Sequence, residues 1–206
     1  GLTFIKNLLI KTILPVWRAN KAIMPKYPNI SPVQAILNYF EEGKGNILLL
    51  KSATGTGKTT QIPPLFIGGK LVICTQPRIQ NAFGAWETTT GQYNNIKSNL
   101  IGYHVGKLET KRRKGTSLIY MTEGILIHLL NDPTYIKKIG YIILDEVHER
   151  TIYMDILLAK IKQLIEHNDF KLIIMSATID IKKFSNFFDL NDNNVIEINK
   201  IQKNIV

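Results

Sequence analysis

The chain has 206 residues, of which 45% are hydrophobic and 20% are charged, and its formal net charge is +10. This apolar fraction excludes a wholly disordered chain, and the single cysteine excludes a disulfide framework or a four-cysteine zinc site. No apolar stretch is long enough to cross a bilayer, so we expect no transmembrane helix. The positive charge alone fits either a polyanionic partner or a lysine-rich surface without a special role.

The first part of the chain, residues 1–44, is predicted to form a helical extension packed on the core. Apolar side chains recur at helical spacing over residues 4–13, which indicates an amphipathic helix; a helix lying on a membrane surface is the alternative. A second helix is predicted to begin at Pro32 with Ser31 as its N-cap, because proline favours the first helical position. Residues 45–206 are expected to form the main domain.

The pattern then changes to short apolar runs separated by segments long enough for helices. The predicted strands cover residues 47–50, 71–74, 118–121, 141–144, 172–175 and 195–198. Runs this short and this apolar are typical of strands that are buried on both faces. Their alternation with helices predicts an α/β fold, in which a mostly parallel sheet is flanked by helices on both faces.

Residues 51–60, directly after the first predicted strand, read Lys-Ser-Ala-Thr-Gly-Thr-Gly-Lys-Thr-Thr. This is the pattern of a Walker A phosphate loop, in which Gly55 and Gly57 let backbone N–H groups turn toward phosphate oxygens. Lys58 is placed to reach the β- and γ-phosphates, and the Thr59 hydroxyl is placed to bind Mg²⁺. The predicted nucleotide-binding residues are Ala53, Thr54, Gly55, Thr56, Gly57, Lys58, Thr59 and Thr60.

An acidic pair, Asp145 and Glu146, follows the strand predicted at 141–144. Ligands of open α/β sheets bind at the carboxyl ends of the strands, so we expect the pair beside the phosphate loop. We assign Asp145 to Mg²⁺, partly through water, and Glu146 to activation of the attacking water. For the pair alone, an N-cap of the next helix is the alternative. His148 has no partner at metal-ligand spacing and is interpreted as a coupling residue of the catalytic centre.

Five motifs occur in order along the chain. They are Thr-Gly-Thr-Gly-Lys-Thr-Thr-Gln-Ile-Pro at 54–63, Thr-Gln-Pro-Arg at 75–78, Tyr-Met-Thr-Glu-Gly at 120–124, Asp-Glu-Val-His-Glu-Arg at 145–150 and Ser-Ala-Thr at 176–178. This order resembles the first RecA-like domain of superfamily 2 helicases of the DEAH (DExH) class, which implies a RecA-like P-loop NTPase fold. The Asp-Glu-Val-His variant is similar to viral members, such as poxvirus nucleoside triphosphatase helicases.

The resemblance implies roles for the residues that match the family motifs. The residues expected to be catalytic are Lys58, Thr59, Asp145 and Glu146. Ser176 and Thr178 would couple hydrolysis to movement of the bound strand. Gly102 lies where the family has a further loop that contacts the strand. The densest basic cluster, residues 107–114, is either part of the nucleic acid path or a solvated loop. The predicted nucleic-acid-binding residues are Gln76, Arg78, Gly102, Lys111, Arg112, Arg113 and Thr122.

The resemblance also implies an enzyme, an ATP-dependent helicase that uses ATP or another NTP together with Mg²⁺. Its partner would be single-stranded nucleic acid, RNA in preference to DNA, along which it would move from 3′ to 5′. A DNA helicase or translocase is one alternative, and a non-catalytic scaffold that retains the fold is another. The expected location is intracellular, in the cytoplasm, or in a viral factory or virion for a viral protein, without a membrane partner.

A second RecA-like domain of the same full-length chain would complete such a motor. That domain supplies an arginine finger to the γ-phosphate, and its Gln-x-x-Gly-Arg-x-Gly-Arg motif does not occur in these 206 residues. We therefore expect the first domain alone to be nearly inactive in hydrolysis.

Three positions depart from the family pattern. Ser52 stands at the first position of the phosphate loop, which is commonly Gly or Ala. Ile79 follows Arg78 where a second arginine is usual, and no arginine lies between positions 78 and 112 to stack on an adenine base. Trp86 is interpreted either as a core residue or as a substitute for that arginine, so we expect weak base selectivity among NTPs.

Overall fold

The computed structural model of the chain describes residues 22–23, 31–93, 100–106, 110–111 and 115–200. The helix predicted over residues 4–13 lies outside the described residues, and so do Arg112 and Arg113 of the basic cluster. Lys111 is described as part of a short strand.

Nine strands and seven α-helices make up the described part of the chain. The strands are β1 (Ala22–Ile23), β2 (Ile47–Ser52), β3 (Leu71–Gln76), β4 (Ile101–His104), β5 (Thr110–Lys111), β6 (Leu118–Thr122), β7 (Ile139–Leu144), β8 (Lys171–Ser176) and β9 (Val195–Lys200). The helices are α1 (Pro32–Glu41), α2 (Lys58–Gln61), α3 (Ile79–Gln92), α4 (Glu123–Leu129), α5 (Pro133–Ile136), α6 (Ile152–Ile165) and α7 (Ile181–Phe188), and 3₁₀ turns lie at Pro63–Phe66, Val147–Glu149 and Asp192–Asn194. All six predicted strands are present, each one or two residues longer than predicted. None of the described helices is long and apolar enough to cross a bilayer.

The strands form one sheet in the order β1-β9-β2-β8-β7-β3-β6-β4-β5. The seven strands from β9 to β4 are parallel, whereas the two-residue strands β1 and β5 pair antiparallel at the two edges. The carboxyl ends of the seven parallel strands therefore share one edge, where ligands of such sheets bind. This confirms the predicted α/β fold with a mostly parallel sheet.

Both faces of the sheet carry apolar side chains. Successive residues of a strand point to opposite faces, so a continuous apolar run supplies apolar side chains to both. Leu48 and Leu50 of β2 belong to a core shared with α1 and α3. Leu49 lies between them in sequence and belongs to a second core, which it shares with α4, α6 and α7. The prediction of helices on both faces is thus confirmed, and the apolar runs are unbroken because neither face meets water.

Helix α1 begins as the sequence predicts. The Ser31 hydroxyl accepts a hydrogen bond from the backbone N–H of Gln34 at 3.2 Å, and Pro32 occupies the first helical position. The apolar side of α1, including Ile36 and Phe40, is buried in the same core as β2. The predicted domain border after residue 44 stays a prediction, although α1 packs as an integral part of this core.

Strand β4 was not predicted from the sequence. Its residues Ile-Gly-Tyr-His mix apolar and polar side chains, so they lack the apolar run that marked the other strands. Gly102 lies in the middle of β4, where it is buried, and pairs with Ile119 of β6. The placement of Gly102 in a loop was therefore wrong.

The polar segment at 189–194, which joins α7 to β9, contains the end of a helix and a capped 3₁₀ turn. Asp189 has φ +56° and ends α7 in the left-handed conformation. Asn191 and Asn194 then form a reciprocal capping box around the 3₁₀ turn, since each side chain accepts a backbone N–H bond at that turn. This turn leads directly into β9.

Candidate nucleotide-binding site

The phosphate loop joins the end of β2 to the start of α2, as the strand–loop–helix prediction requires. Gly55 has φ +70° and Gly57 has φ +80°, which is the left-handed region that favours glycine. A Cβ atom at Gly57 would also lie 3.1 Å from Cγ of Gln61. The left-handed turns at Gly55 and Gly57 bring the backbone of residues 53–58 around toward the start of α2. A side chain is disfavoured at both positions.

The hydroxyl groups of Ser52 and Thr56 form hydrogen bonds within the phosphate loop. Ser52 Oγ and Thr56 Oγ1 lie 2.6 Å apart, and Thr56 Oγ1 donates to the Ala53 carbonyl oxygen at 2.9 Å. Since the Thr56 hydroxyl proton is used on Ala53, the Ser52 hydroxyl is the donor of the first bond. Both side chains are buried, so the unusual Ser52 is part of the internal structure of the loop.

Thr59 and Asp145 meet at the carboxyl edge of the sheet. Thr59 Oγ1 donates to Asp145 Oδ2 at 2.5 Å, and Gln76 Nε2 donates to the same oxygen at 2.8 Å. The other carboxylate oxygen accepts from the backbone N–H of Glu146 at 2.9 Å. Burial raises the pKa of Asp145, and the hydrogen bonds from Thr59 and Gln76 act in the opposite direction.

These oxygen atoms fit the ligands that Mg²⁺ prefers. A hydroxyl and a carboxylate meet at one point, and Mg²⁺ takes few protein ligands while keeping water and phosphate oxygens for the rest. Among the described residues, no group of three or more His, Cys, Asp or Glu side chains lies close enough to hold a metal. The Thr59 hydroxyl and the Asp145 carboxylate are thus candidate ligands for Mg²⁺.

Glu146 stands at the centre of a chain of polar contacts. Its Oε1 lies 3.4 Å from Nζ of Lys58, which is only 4% exposed, and its Oε2 lies 3.2 Å from Nδ1 of His148. The same Nδ1 lies 3.1 Å from Oγ of Ser176, which accepts a hydrogen bond from the backbone N–H of Thr178 at 3.2 Å. The structure thus brings together the predicted base, the predicted phosphate-binding lysine and the three predicted coupling residues His148, Ser176 and Thr178.

The backbone at Glu146 adopts a conformation that is uncommon for residues other than glycine. Its φ is +52°, in the left-handed region, directly after Asp145 at the end of β7. Such conformations cost free energy and are concentrated at functional sites. The turn directs the Glu146 side chain back toward Lys58.

The predicted nucleic-acid-binding residues are placed differently from one another. Gln76 is buried and donates to Asp145, so its side chain faces the Thr59–Asp145 pair instead of solvent. Arg78 is 70% exposed, and its Nη2 lies 3.6 Å from Glu149 Oε2. Thr122 is partly exposed as the N-cap residue of α4 at the same edge. Arg78 and Thr122 are thus the predicted contacts whose side chains the structure describes as accessible.

Two buried side chains of this edge were not predicted. Tyr120 donates from its hydroxyl to the Thr59 carbonyl oxygen at 3.0 Å and lies 2.9 Å from Oγ1 of Thr89. Glu123 accepts a hydrogen bond from the Thr151 hydroxyl, and burial raises the pKa of its carboxyl group. The motif at 120–124 marked this segment, but nothing in the sequence indicated which side chains these two residues contact.

The strand order and the site define the class of protein. A phosphate loop after β2, a contact from Thr59 at the start of α2 to Asp145 after β7, and helices on both faces describe a P-loop NTPase domain of RecA-like form. The sequence profile of the DEAD/DEAH box helicase family matches residues 31–187. The chain therefore belongs to the DEAD/DEAH box helicase family, as its motifs predict.

Known proteins of this family resemble the chain over most of its length. It is 34% identical over 175 residues to the "ATP-dependent RNA helicase dhx29" of Xenopus laevis. The matched region covers 76% of this chain and 13% of that protein. It is 29% identical to the human "ATP-dependent DNA/RNA helicase DHX36", covering 79% of this chain and 17% of that protein. The crystal structure of the Escherichia coli DEAH/RHA helicase HrpB superposes with a TM-score of 0.70 at 28% identity, covering 82% of this chain and 22% of that one.

The chain thus spans less than a quarter of the length of each of these relatives. All three are cellular proteins. The resemblance to viral members, which was based on the Asp-Glu-Val-His box, stays a prediction.

Proposed function

We propose that this chain is the first RecA-like domain of an ATP-dependent RNA helicase, in which it binds and hydrolyses the nucleotide. The observation that carries the proposal is the direct bond between Thr59 and Asp145 at the sheet edge. Lys58 and Glu146 lie in contact beside it. A protein that only retained the fold would have no physical need for all four groups in this arrangement. The names of the relatives, most of them RNA helicases, support RNA as the substrate.

The phosphates of the nucleotide would be held by the loop backbone and by Lys58. Backbone N–H groups of a glycine-rich turn before a helix form an anion site, and the buried ammonium group of Lys58 adds a full positive charge. Thr59 and Asp145 would hold Mg²⁺, which neutralises charge on the phosphate oxygens when it is bound.

Glu146 is the proposed base for the attacking water. A general base must lie within hydrogen-bond reach of the proton that it takes, and its carboxylate is held at the edge by contacts on both oxygens. The contact from His148 continues to Ser176, so a change at the Glu146 carboxylate is passed to the Ser-Ala-Thr segment at the end of β8. We propose that this path couples hydrolysis to movement of the domain.

The nucleic acid would cross the same edge at Arg78 and Thr122. An exposed guanidinium group binds phosphate without reading the base sequence, and a threonine hydroxyl adds a further donor. Movement from 3′ to 5′ and closure by a second RecA-like domain, which supplies an arginine finger, complete the proposal. DNA is a second candidate substrate, because one relative carries the name DNA/RNA helicase.

The proposal is tested in a protein that includes a second RecA-like domain. Glu146→Gln is expected to retain binding of ATP and to lose hydrolysis and unwinding, because an amide cannot take the proton. Unwinding of tailed RNA, DNA and hybrid duplexes then identifies the substrate. The matched control is Glu166→Gln, an exposed site at the end of α6. Undiminished hydrolysis in Glu146→Gln would show that another group is the base.

A further inference from the structure

Three aromatic rings form a cluster between α3 and β4, on the face of the sheet that α1 and α3 cover and outside the nucleotide site. Phe83 and Trp86 of α3 and Tyr103 of β4 lie with their ring centroids 5.4, 5.4 and 5.0 Å apart. Trp86 Nε1 donates to the Ile101 carbonyl oxygen at 3.2 Å, which holds the indole ring against β4. Phe83 is therefore supported from behind by two rings, while 41% of its own side chain is exposed.

The exposed side of α3 continues from Phe83 toward the end of β3. Ile79 lies four residues before Phe83, hence on the same side of the helix, and is 48% exposed. Arg78 precedes Ile79 at the start of α3 and is 70% exposed. Since α3 rises about 1.5 Å per residue, Phe83 lies roughly 7 Å along the helix from Arg78. The helix that carries these two exposed apolar side chains thus begins at an exposed cation.

We propose that Phe83 is a stacking site for one base of a single-stranded nucleic acid whose phosphate is bound by Arg78. The inference rests on the proposed function, which brings such a strand to this edge. Single strands present flat π-faces beside negative phosphates, and an aromatic ring next to a cation complements both. Stacking of this kind accepts any base, because every base has a π-face. The site would add affinity without adding sequence preference.

The surroundings favour a nucleobase over a protein partner on this side of α3. The exposed apolar strip consists of Ile79 and Phe83, and the exposed carboxylate of Glu87 follows one turn further on. A stable protein interface buries about 800 Å² on each partner, far more than two side chains provide. A single base, in contrast, covers one ring.

The test compares two strands that differ only in their bases. Binding of a fluorescent uridine-tract RNA and of an abasic strand of the same length is measured by anisotropy at low salt, with a protein that includes a second RecA-like domain. Phe83→Leu keeps an apolar side chain but removes the π-face, so we expect at least about fivefold weaker binding of the uridine tract. Binding of the abasic strand is expected to stay unchanged, and Phe83→Trp is expected to restore the uridine affinity. Arg78→Ala is expected to weaken both strands alike.

The matched control is Phe187→Leu on α7, because Phe187 is 39% exposed and lies outside this cluster. It is expected to leave the binding of both strands unchanged. If the unsubstituted protein binds neither strand, the nucleic acid binding in the proposed function fails and the stacking site fails with it. If it binds both strands and Phe83→Leu weakens neither, or weakens both equally, nucleic acid binding stands and the stacking site is wrong.

Discussion

The side-chain amide of Gln76 donates a hydrogen bond to Asp145 Oδ2 at 2.8 Å, and both side chains are buried. Gln76 ends β3 in the Thr-Gln-Pro-Arg motif, whereas Asp145 follows the neighbouring strand β7. The bond therefore joins the segment that carries the exposed Arg78 to the carboxylate assigned to Mg²⁺. Gln76 thus serves to position Asp145.

Replacing Gln76 by leucine is expected to slow hydrolysis without weakening nucleic acid binding. A hydrogen bond to a charged group contributes about 1.5–3 kcal/mol, which corresponds to a kcat lower by about tenfold to a hundredfold. The measurements are kcat, KM for ATP and the Mg²⁺ concentration for half-maximal rate, in a protein with both RecA-like domains. Gln163→Leu on the exposed side of α6 is the control. A loss of RNA affinity at unchanged kcat would instead support the direct contact that the sequence motif implied.

Glu149 is expected to compete with phosphate for Arg78. The two side chains lie 3.6 Å apart and are 30% and 70% exposed, so their mutual attraction is weakened by solvent. Glu149→Gln is expected to tighten binding of single-stranded RNA by up to about fivefold, because a surface ion pair contributes at most about 1 kcal/mol. Anisotropy titrations over a range of salt concentrations measure the effect. Weaker binding in this variant would mean that Glu149 positions Arg78 for the phosphate.

Glu123 is expected to make folding stability depend on pH. Burial raises the pKa of its carboxyl group, the Thr151 hydroxyl bond lowers it, and Glu149 raises it. The folded chain then holds this proton to a higher pH than the unfolded chain. The contribution of the bound proton to folding stability is complete below about pH 4 and is lost as pH rises through the raised pKa of Glu123. We therefore expect the Tm of Glu123→Gln, relative to the unsubstituted chain, to increase between pH 4 and pH 8. Glu166→Gln is the control, and an equal difference at all pH values would contradict the expectation.

Tyr120→Phe is expected to loosen the start of α2. The substitution removes the hydroxyl that donates to the Thr59 carbonyl oxygen, while the ring stays in the core. Loss of one such bond costs about 1 kcal/mol in the free energy of unfolding. Chemical denaturation measures this change, and titration with ATP and Mg²⁺ measures the accompanying loss of affinity. Tyr153→Phe removes a hydroxyl from a residue that is 60% exposed and is the control.

The sequence predicted the parts of this fold that are encoded locally. Apolar runs identified the strands from β2 to β9 except β4 and β5, because burial on both faces leaves an unbroken signal. The motif spacing placed Lys58 and Thr59 correctly after the loop that follows β2, at the start of α2. Strand β4 was missed because its own composition does not mark it as a strand. Its extended conformation is stabilised by pairing with β6.

The contacts that organise the site could not be predicted in the same way. Gln76 and Asp145 are 69 residues apart, and Tyr120 is 61 residues from the carbonyl group that it contacts. Such pairs depend on which strands become neighbours in the sheet, and a single sequence does not state that order. The domain border after residue 44 and the cellular location stay predictions.

The bonds between Ser52, Thr56 and Ala53 have a consequence for how the nucleotide is received. A glycine-rich loop has many conformations available in solution, and selecting one of them costs conformational entropy when a ligand arrives. The two hydrogen bonds of the Ser52 and Thr56 hydroxyls restrict the loop before a ligand arrives. A smaller part of the phosphate-binding free energy is then spent on ordering the loop. The serine that departs from the family pattern thereby makes the loop preorganised, where glycine or alanine would leave it more flexible.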